Sequence, residues 1–206
     1  MKFSTKATLS AVLTCATALS FSNPAMAKVV TGEAAPDVRV IDSNGVERTL
    51  SEFKGQDVVL EWTNHKCPYV VKHYDSNNMQ NTQKRASEDG FAWLTVISSA
   101  PGKQGHVSGE KANKLTKKRG ATPTAVLLDE SGDAGRLYAA KTTPHMYIVN
   151  KQGTLVYQGA IDSIPSANPK KIAEATNYVT AALDSMKAGT AIEVTDSQPY
   201  GCSIKY

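Results

Sequence analysis

Cys67 is the residue of this sequence that is best placed to do covalent chemistry. It lies in the segment NHKCPYVVKHY, residues 64–74, which follows the apolar segment VVLEW. Pro68 is typical of the first turn of a helix, where its missing N–H costs nothing. The unpaired N–H groups and the dipole at a helix N-terminus favour a thiolate, and His65 and Lys66 add nearby positive charge. The sequence therefore predicts that Cys67 is a reactive thiol.

Cys202, in the segment PYGCS near the end of the chain, is the second thiol that we expect the mature protein to keep. Two cysteines in an oxidising compartment most often form a disulfide. In the chain-entropy model, a bond that closes so long a loop would stabilise the fold by about 5 kcal/mol. A redox-active pair also spends part of its cycle as a disulfide, so a structural bond and a reactive pair are both consistent with the sequence.

The first 27 residues have the features of a targeting segment. A positively charged start is followed by the apolar and small-residue stretch ATLSAVLTCATALSF, and the sequence AMA at 25–27 fits the small-x-small cleavage pattern. We expect a signal peptide over 1–27, cleavage after Ala27, and a periplasmic or secreted mature chain, a location that permits disulfides. An alternative is a lipoprotein processing site ending at Cys15; otherwise Cys15 is lost with the signal peptide.

Composition and charge exclude several classes of protein. The chain has 206 residues, of which 41% are hydrophobic and 20% charged, and its formal net charge is +4. This is the composition of one ordinary globular domain with a sizeable core rather than of a disordered chain. The charge is too small to argue for nucleic acid or an anionic membrane surface as a partner. The mature sequence contains no segment suited to an integral membrane helix.

The elements that must position Cys67 follow an α/β order. Before Cys67, the sequence predicts a hairpin within 36–50 and a buried strand over 57–62. After it, the pattern predicts a long helix over 68–88, strands over 91–98 and 124–128, a strand pair at 146–150 and 154–158, and an amphipathic helix over 168–187. This order indicates a sheet covered by helices, with Cys67 between a strand and a helix.

Three segments of the chain carry a family resemblance: GEAAPDVRVIDSNGVERTLSEFKGQDVVLEW, NHKCPYV and TTPHMYIVNKQGTLVYQGAID. Through them, residues 32–187 resemble the thioredoxin fold in its peroxiredoxin-like, AhpC/TSA-type (redoxin-type) version, in a group with a single CPYV-type cysteine. The resemblance implies an α/β, thioredoxin-like fold, with a central mixed β-sheet flanked by helices and an N-terminal hairpin extension. It also implies a redoxin domain over 28–190 and a C-terminal tail over 191–206 that carries Cys202.

The resemblance further implies a set of active-site residues. Cys67 matches the first cysteine of the thioredoxin C-x-x-C site, which is the nucleophile, whereas Val70 occupies the position of the second cysteine. Pro144 matches the cis-proline that packs beside the active thiol, although Pro123 competes for that role. The residues expected to surround Cys67 are Trp62, Thr63, Asn64, His65, Lys66, Pro68, Thr143 and Pro144.

The sequence departs from true peroxiredoxins, whose peroxidatic site reads Pro-x-x-x-Thr/Ser-x-x-Cys. Asn64 stands at the Thr/Ser position and Leu60 at the Pro position. The hydrogen bonds that would polarise a peroxide O–O bond are therefore not evident. Both peroxides and disulfides therefore stay open as substrates. The protein could accordingly be an antioxidant peroxidase or a thiol–disulfide oxidoreductase.

Cys202 offers a substitute for the absent neighbouring thiol. The tail can fold back over the active site, where a Cys202 thiolate could attack a mixed disulfide or a sulfenic acid on Cys67. The alternatives are a static Cys67–Cys202 disulfide that only ties down the tail, free thiols, and intermolecular pairing. With a static bond, the chain would be a non-catalytic, thioredoxin-fold binding module.

Other chemistries have less support in the sequence. His65, His73 and His145 suggest a metal site, but the C-x-x-x-C pair of copper-handling thioredoxin-fold proteins is missing, because Val71 stands at its second position. A Cys–His hydrolase would need a base and an oxyanion site, which no other segment suggests. We therefore predict no metal and no cofactor. The expected partners are protein or small-molecule thiols, disulfides or peroxides and an unidentified periplasmic electron donor, with no nucleic acid.

Overall fold

The computed structural model describes Met1 and residues 29–206. The predicted signal peptide after Met1, its cleavage site and Cys15 therefore lie outside the described residues. Within the described part of the chain, no helix is both long enough and apolar enough to cross a membrane.

A five-stranded mixed sheet forms the centre of the fold. Its strand order is β5 (Ala125–Leu128), β4 (Ala92–Ile97), β3 (Val58–Trp62), β7 (His145–Val149) and β8 (Leu155–Gly159). β3 pairs parallel with β4 and antiparallel with β7. Every residue of β3, β4 and β7 is buried, which explains why these strands read as nearly continuous apolar runs. The predicted fold class, with its central mixed sheet, is confirmed.

Helices cover both faces of the sheet. α1 (Pro68–Asp75), α2 (Asn78–Glu88) and α5 (Tyr178–Ala188) bury their apolar side chains against one face. α4 (Asp133–Leu137) and the N-terminal hairpin cover the opposite face, and α3 (Gly109–Arg119) packs near the β5 edge. The sequence therefore alternates strands and helices as expected, and Cys67 lies between β3 and α1.

The predicted N-terminal hairpin extension is present. β1 (Arg39–Ile41) and β2 (Glu47–Thr49) pair antiparallel, and a 3-10 helix, Leu50–Phe53, follows. The Thr49 side chain accepts a hydrogen bond from the Glu52 N–H, and the Glu52 carboxylate accepts one from the Thr49 N–H. This capping box fixes the turn that leads from the hairpin toward β3.

Both long predicted helices are interrupted. The helix expected over 68–88 is divided into α1 and α2, because Asn77 adopts a left-handed backbone conformation with φ of 60°. Asparagine tolerates this conformation better than most residues. The helix expected over 168–187 begins as a 3-10 helix, Pro169–Glu174, and α5 starts only after Asn177, whose side chain accepts from the Thr180 N–H. A left-handed asparagine at the first interruption and a capping asparagine at the second thus override the apolar periodicity.

The chain after α5 returns to the centre of the molecule. It first runs beside β8, where Gln158 exchanges backbone hydrogen bonds with Thr195 and Ser197. β9 (Cys202–Ser203) then pairs antiparallel with β6 (Thr142–Thr143), the two residues that precede Pro144 and β7. The last residues of the chain therefore lie against the part of the fold that faces Cys67.

Candidate active site around Cys67

Cys67 is the N-cap residue of α1, as the sequence predicts. Its N–H donates to the carbonyl of Asn64 at 3.0 Å, and its own carbonyl accepts from the N–H groups of Val70 and Val71 at 3.0 and 2.9 Å. Pro68 occupies the first turn of α1. The nucleophile candidate is therefore held in a hydrogen-bonded turn between a central strand and a helix N-terminus.

The Cys67 side chain is fully buried, with an exposed fraction of 0%. Its Sγ lies 3.1 Å from the carbonyl oxygen of Thr143 and can donate to it. The peptide bond that follows, Thr143–Pro144, is cis, and Pro144 is buried. Pro144 rather than Pro123 is thus the cis-proline beside the thiol.

Cys202 lies next to Cys67, because β9 places it opposite Thr143 in the β6–β9 ladder. Both cysteines are free thiols in this structure, and Cys202 packs against the apolar cluster that contains Cys67. Burial raises the pKa of Cys67, but the contacts with Cys202, together with Val70 and Thr143, lower it overall. Burial and the interaction with the Cys67 thiol raise the pKa of Cys202 to about 11. The Cys67 thiol is therefore the more acidic of the two.

Gly201 allows the tail to approach this closely. Its φ is +134°, and a Cβ at this position would collide with the carbonyl oxygen of Thr143, the same oxygen that Cys67 contacts. Gly201 is therefore a close-packed glycine, because no other residue could take this conformation at this distance.

Tyr200 enters a buried group of charged residues on α1 and after β8. Its hydroxyl donates to Asp162 Oδ1 and lies 3.2 Å from Lys72 Nζ and 3.3 Å from His73 Nε2. Lys72, His73 and Asp162 are all at least 97% buried. Burial and Lys72 lower the pKa of His73 to about 4, and burial lowers the pKa of Lys72 against the attraction of Asp162. We call Lys72, His73 and Asp162 the anchor cluster.

The family described as Redoxin matches residues 30–176. The chain belongs to the Redoxin family. The matched region covers every element from the N-terminal hairpin to the 3-10 helix before α5, including Cys67 and Pro144. Tyr200 and Cys202 lie beyond it.

Solved structures agree with this fold. An uncharacterised conserved protein from Geobacillus kaustophilus superposes with a TM-score of 0.71 and 22% identity, over 86% of this chain and 93% of the other. A hypothetical protein from Sinorhizobium meliloti 1021 gives 0.71 and 22%, over 87% and 96%. The thioredoxin domain of a thiol-disulfide oxidoreductase from Bacteroides vulgatus gives 0.50 and 22%, over 64% and 89%. No curated protein matches the chain.

The Redoxin domain does not bring all the predicted site residues to Cys67. Trp62 packs on the opposite side of the sheet, where its ring contacts Tyr138 and Tyr147 and its Nε1–H donates to Ser98 Oγ at 2.9 Å. The expectation that Trp62 borders the thiol is therefore not met. Side chains alternate between the faces of a strand, so Trp62 shares a face with Leu60 and not with Val59 and Glu61.

The predicted residues 63–66 form the loop that supports Cys67. The Thr63 N–H extends the sheet by donating to the Val96 carbonyl at 2.9 Å. Asn64 Oδ1 accepts from the Lys66 N–H at 2.9 Å, and Lys66 is exposed. The carbonyl of His65 accepts from Arg119 at 3.1 Å. Burial, Arg119 and Lys66 lower the pKa of His65, so its ring is a weak source of positive charge.

The three histidines considered for a metal site lie in separate environments. His73 belongs to the anchor cluster, and His145 is buried in β7, where its Nδ1 accepts from the Lys141 N–H at 3.3 Å and lies 3.1 Å from the Tyr147 hydroxyl. Burial lowers the pKa of His145 to about 3. Among the described residues, no group of three or more His, Cys, Asp or Glu side chains could hold a metal ion.

The sequence did not predict that Glu61 and the anchor cluster are buried. Glu61 is fully buried and accepts hydrogen bonds from four side chains, those of Tyr74, Gln83, Trp93 and Thr95. The anchor cluster was also missed, because Lys72 and Asp162 carry charges that normally indicate exposed positions. The only available signal was the aromatic residue beside the tail cysteine, in PYGCS.

Proposed function

We propose that this protein is a periplasmic or secreted thiol-based oxidoreductase in which Cys67 is the nucleophile and Cys202 the resolving cysteine. The observation that carries the proposal is the placement of Cys202 beside Cys67: β9 sets Cys202 opposite Thr143, whose carbonyl oxygen lies 3.1 Å from the Cys67 Sγ. The pKa of Cys67 is lowered and that of Cys202 is raised in this arrangement. A nucleophile with a lowered pKa and an adjacent second thiol are what thiol–disulfide exchange requires. The functional unit would comprise the domain over 28–190 and the tail over 191–206.

The proposed cycle transfers two electrons to the substrate. The Cys67 thiolate attacks one sulfur of a disulfide RSSR, forms a Cys67–S–S–R bond, and releases RS⁻. Cys202 gives its proton to solvent or to the released RS⁻ and attacks the Cys67 sulfur, which forms the Cys67–Cys202 disulfide and releases the second RS⁻. A periplasmic dithiol donor then reduces this disulfide and is itself oxidised.

Disulfides are favoured over peroxides as substrates. The Asn64 side-chain amide donates to the Gln104 carbonyl at 3.2 Å, and Arg119 donates to the His65 carbonyl and covers the Tyr74 ring at 4.3 Å. These donors are engaged away from the Cys67 Sγ, so they do not support a peroxide-polarising site. By contrast, the β6 edge beside Cys67 pairs with an extended segment that carries a cysteine, as a peptide disulfide would.

A non-catalytic binding module is the second candidate, because Cys67 is completely buried beneath the tail. In that case the two cysteines would serve only as a structural staple.

The deciding experiment follows the oxidation of the reduced mature protein by oxidised glutathione and, separately, by hydrogen peroxide. With oxidised glutathione, we expect the wild type to form the Cys67–Cys202 disulfide and Cys202→Ser to accumulate a glutathione adduct on Cys67. Cys67→Ser should form neither species, and we expect the potential of the pair to lie above about −300 mV. A disulfide that resists reduction, and whose loss lowers only the melting temperature, would favour the non-catalytic binding module with a structural disulfide. Faster oxidation by peroxide would reassign the substrate class.

A further inference from the structure

The anchor cluster is costly and has no part in the proposed exchange chemistry. Lys72 and Asp162 are 2% and 3% exposed, and their Nζ and Oδ2 atoms are 3.4 Å apart. Burying two charges is unfavourable unless good geometry and further hydrogen bonds compensate for the lost hydration. Lys72 lies on α1, the helix that begins at Cys67. This placement connects the cluster to the active site.

Tyr200 supplies the hydrogen bonds that the charged pair lacks. Its hydroxyl bridges Asp162 and Lys72, and the Lys72 ammonium also lies 5.2 Å from the centre of the Tyr200 ring. The Tyr69 ring packs edge-on against the same ring at 5.7 Å. A phenol can donate to a carboxylate and accept from an ammonium at once, which no apolar side chain can do.

The position of Tyr200 connects this cluster to Cys202. Only Gly201 separates the two residues, and its close contact with Thr143 leaves the connection little freedom. On the other side of Cys202, the Ile204 N–H donates to the Lys141 carbonyl at 3.1 Å and the Tyr206 hydroxyl donates to the Ala140 carbonyl at 2.8 Å. Cys202 is therefore held between two attachment points, of which Tyr200 is the one with buried charged partners.

We propose that Tyr200 is a positioning residue for the Cys67–Cys202 pair, whose phenol, held in the anchor cluster, keeps Cys202 against Cys67 and keeps Cys67 covered. This role rests on the proposed function and refines it. A fixed tail raises the effective concentration of Cys202 at the Cys67 sulfur, so the intramolecular disulfide forms in preference to a lasting mixed disulfide. Release of Tyr200 would uncover the Cys67 Sγ and let an external substrate reach it.

The test compares Tyr200→Phe with Tyr138→Phe. Tyr200→Phe keeps the ring and removes the hydroxyl that bonds the anchor cluster. Tyr138→Phe is a matched control, because it also removes one buried phenol hydrogen bond, to the Pro36 carbonyl at 2.8 Å, but its phenol lies outside the anchor cluster, on the other face of the sheet. Both variants should lose stability. A change in disulfide formation or in Cys67 alkylation that occurs only in Tyr200→Phe would therefore reflect the position of the tail and not the loss of stability.

Two measurements are made on each variant. The first is the equilibrium in which the two protein thiols and one oxidised glutathione give the protein disulfide and two reduced glutathiones. We expect its constant to fall about tenfold in Tyr200→Phe, the size of a lost hydrogen bond to charged groups. The second is the alkylation rate of Cys67 by a bulky maleimide in a Cys202→Ser background, which we expect to rise about tenfold. Tyr138→Phe should stay within about twofold in both.

The proposal is overturned if folded Tyr200→Phe stays within about twofold of its parent in both measurements, or if Tyr138→Phe changes them equally. Lys72→Met provides a second variant, because it keeps the aliphatic stem and removes the donor to the phenol; it should change both measurements in the same direction. Alkylation of Cys67 could accelerate in Tyr200→Phe while neither the wild type nor any variant forms the Cys67–Cys202 disulfide. That result would support the positioning role of Tyr200 and reject the proposed redox function. The two failures are thus distinguishable.

Discussion

Thr143 and Cys202 lie opposite each other in the β6–β9 ladder, and the Thr143 carbonyl is also 3.1 Å from the Cys67 Sγ. One peptide group therefore contacts both the segment that carries the tail thiol and the thiol at the N-terminus of α1. The arrangement makes the tail part of the site, although residues 190–206 contain only one short strand. Substitutions in the tail should therefore change the reactivity of the Cys67 thiol.

Gly201→Ala should detach the tail. The added Cβ would collide with the Thr143 carbonyl, and alanine rarely adopts a φ of +134°. We expect a destabilisation of about 1–3 kcal/mol and faster alkylation of Cys67. The free energy of unfolding in urea and the rate of thiol modification would measure these effects.

Gly45→Ala is the control for that prediction. Gly45 also has a positive φ, +81°, but a Cβ there would meet no atom within 4 Å. It should lose some stability without changing the alkylation of Cys67. Equal alkylation rates in the two variants would show that the close approach of Gly201 does not hold the tail.

Glu61→Gln should destabilise the core beneath the site. The carboxylate accepts hydrogen bonds from Tyr74, Trp93, Gln83 and Thr95, at distances from 2.9 to 3.3 Å. A glutamine has one accepting oxygen instead of two. An amide nitrogen at the Oε2 position would remove the acceptor of Gln83, Trp93 and Thr95, and one at the Oε1 position would remove the shorter bond from Tyr74, so either arrangement weakens the network. We expect a loss of about 1–3 kcal/mol in the free energy of unfolding. Glu110→Gln, on the exposed face of α3, is the control, and a loss of equal size there would contradict the argument.

Stability should fall in mild acid because two histidines are buried as neutral rings. Burial, with Lys72 and Lys141 nearby, lowers the pKa of His73 to about 4 and that of His145 to about 3. In the unfolded chain both titrate near 6.5, so below that pH the unfolded state binds more protons than the folded state. The free energy of unfolding should therefore fall as the pH decreases, by about 2 kcal/mol per histidine at pH 5.

Urea unfolding of the reduced protein at pH 7.5 and pH 5 would measure this loss. His145→Gln keeps an acceptor for the Lys141 N–H and lies outside the anchor cluster, so it should remove about half of the acid-induced loss. An unchanged loss in this variant would mean that other groups cause it.

The sequence predicted the parts of the site that depend on local patterns. The apolar run VVLEW identified β3, and Pro68 identified the first turn of α1, so Cys67 was placed correctly between them. The order of strands after Pro144 identified it as the cis-proline. These features depend on neighbours in the chain and on a family pattern, which the sequence contains directly.

The remaining features depend on contacts between residues that are distant in sequence. Trp62 was expected near Cys67, but strand alternation turns it toward Tyr138 and Tyr147 on the other face. Lys72 looks like an exposed helix residue, but it is buried against Asp162, which follows β8, and Tyr200, which the tail brings back. No local pattern predicts such a contact, because the partners are brought together by the path of the tail.

Cys202→Ala should reduce the reactivity of Cys67, whereas Cys202→Ser should largely preserve it. Burial alone raises the pKa of the Cys67 thiol, and the hydrogen bond from the Cys202 side chain is the largest of the effects that lower it. Alanine removes that donor, while a serine hydroxyl can replace it. In the alanine variant, the pH profile of Cys67 alkylation by iodoacetamide should therefore shift toward higher pH. Both variants keep the backbone bonds of β9 and neither can form a disulfide, so coincident profiles would show that the thiol of Cys202 does not tune Cys67.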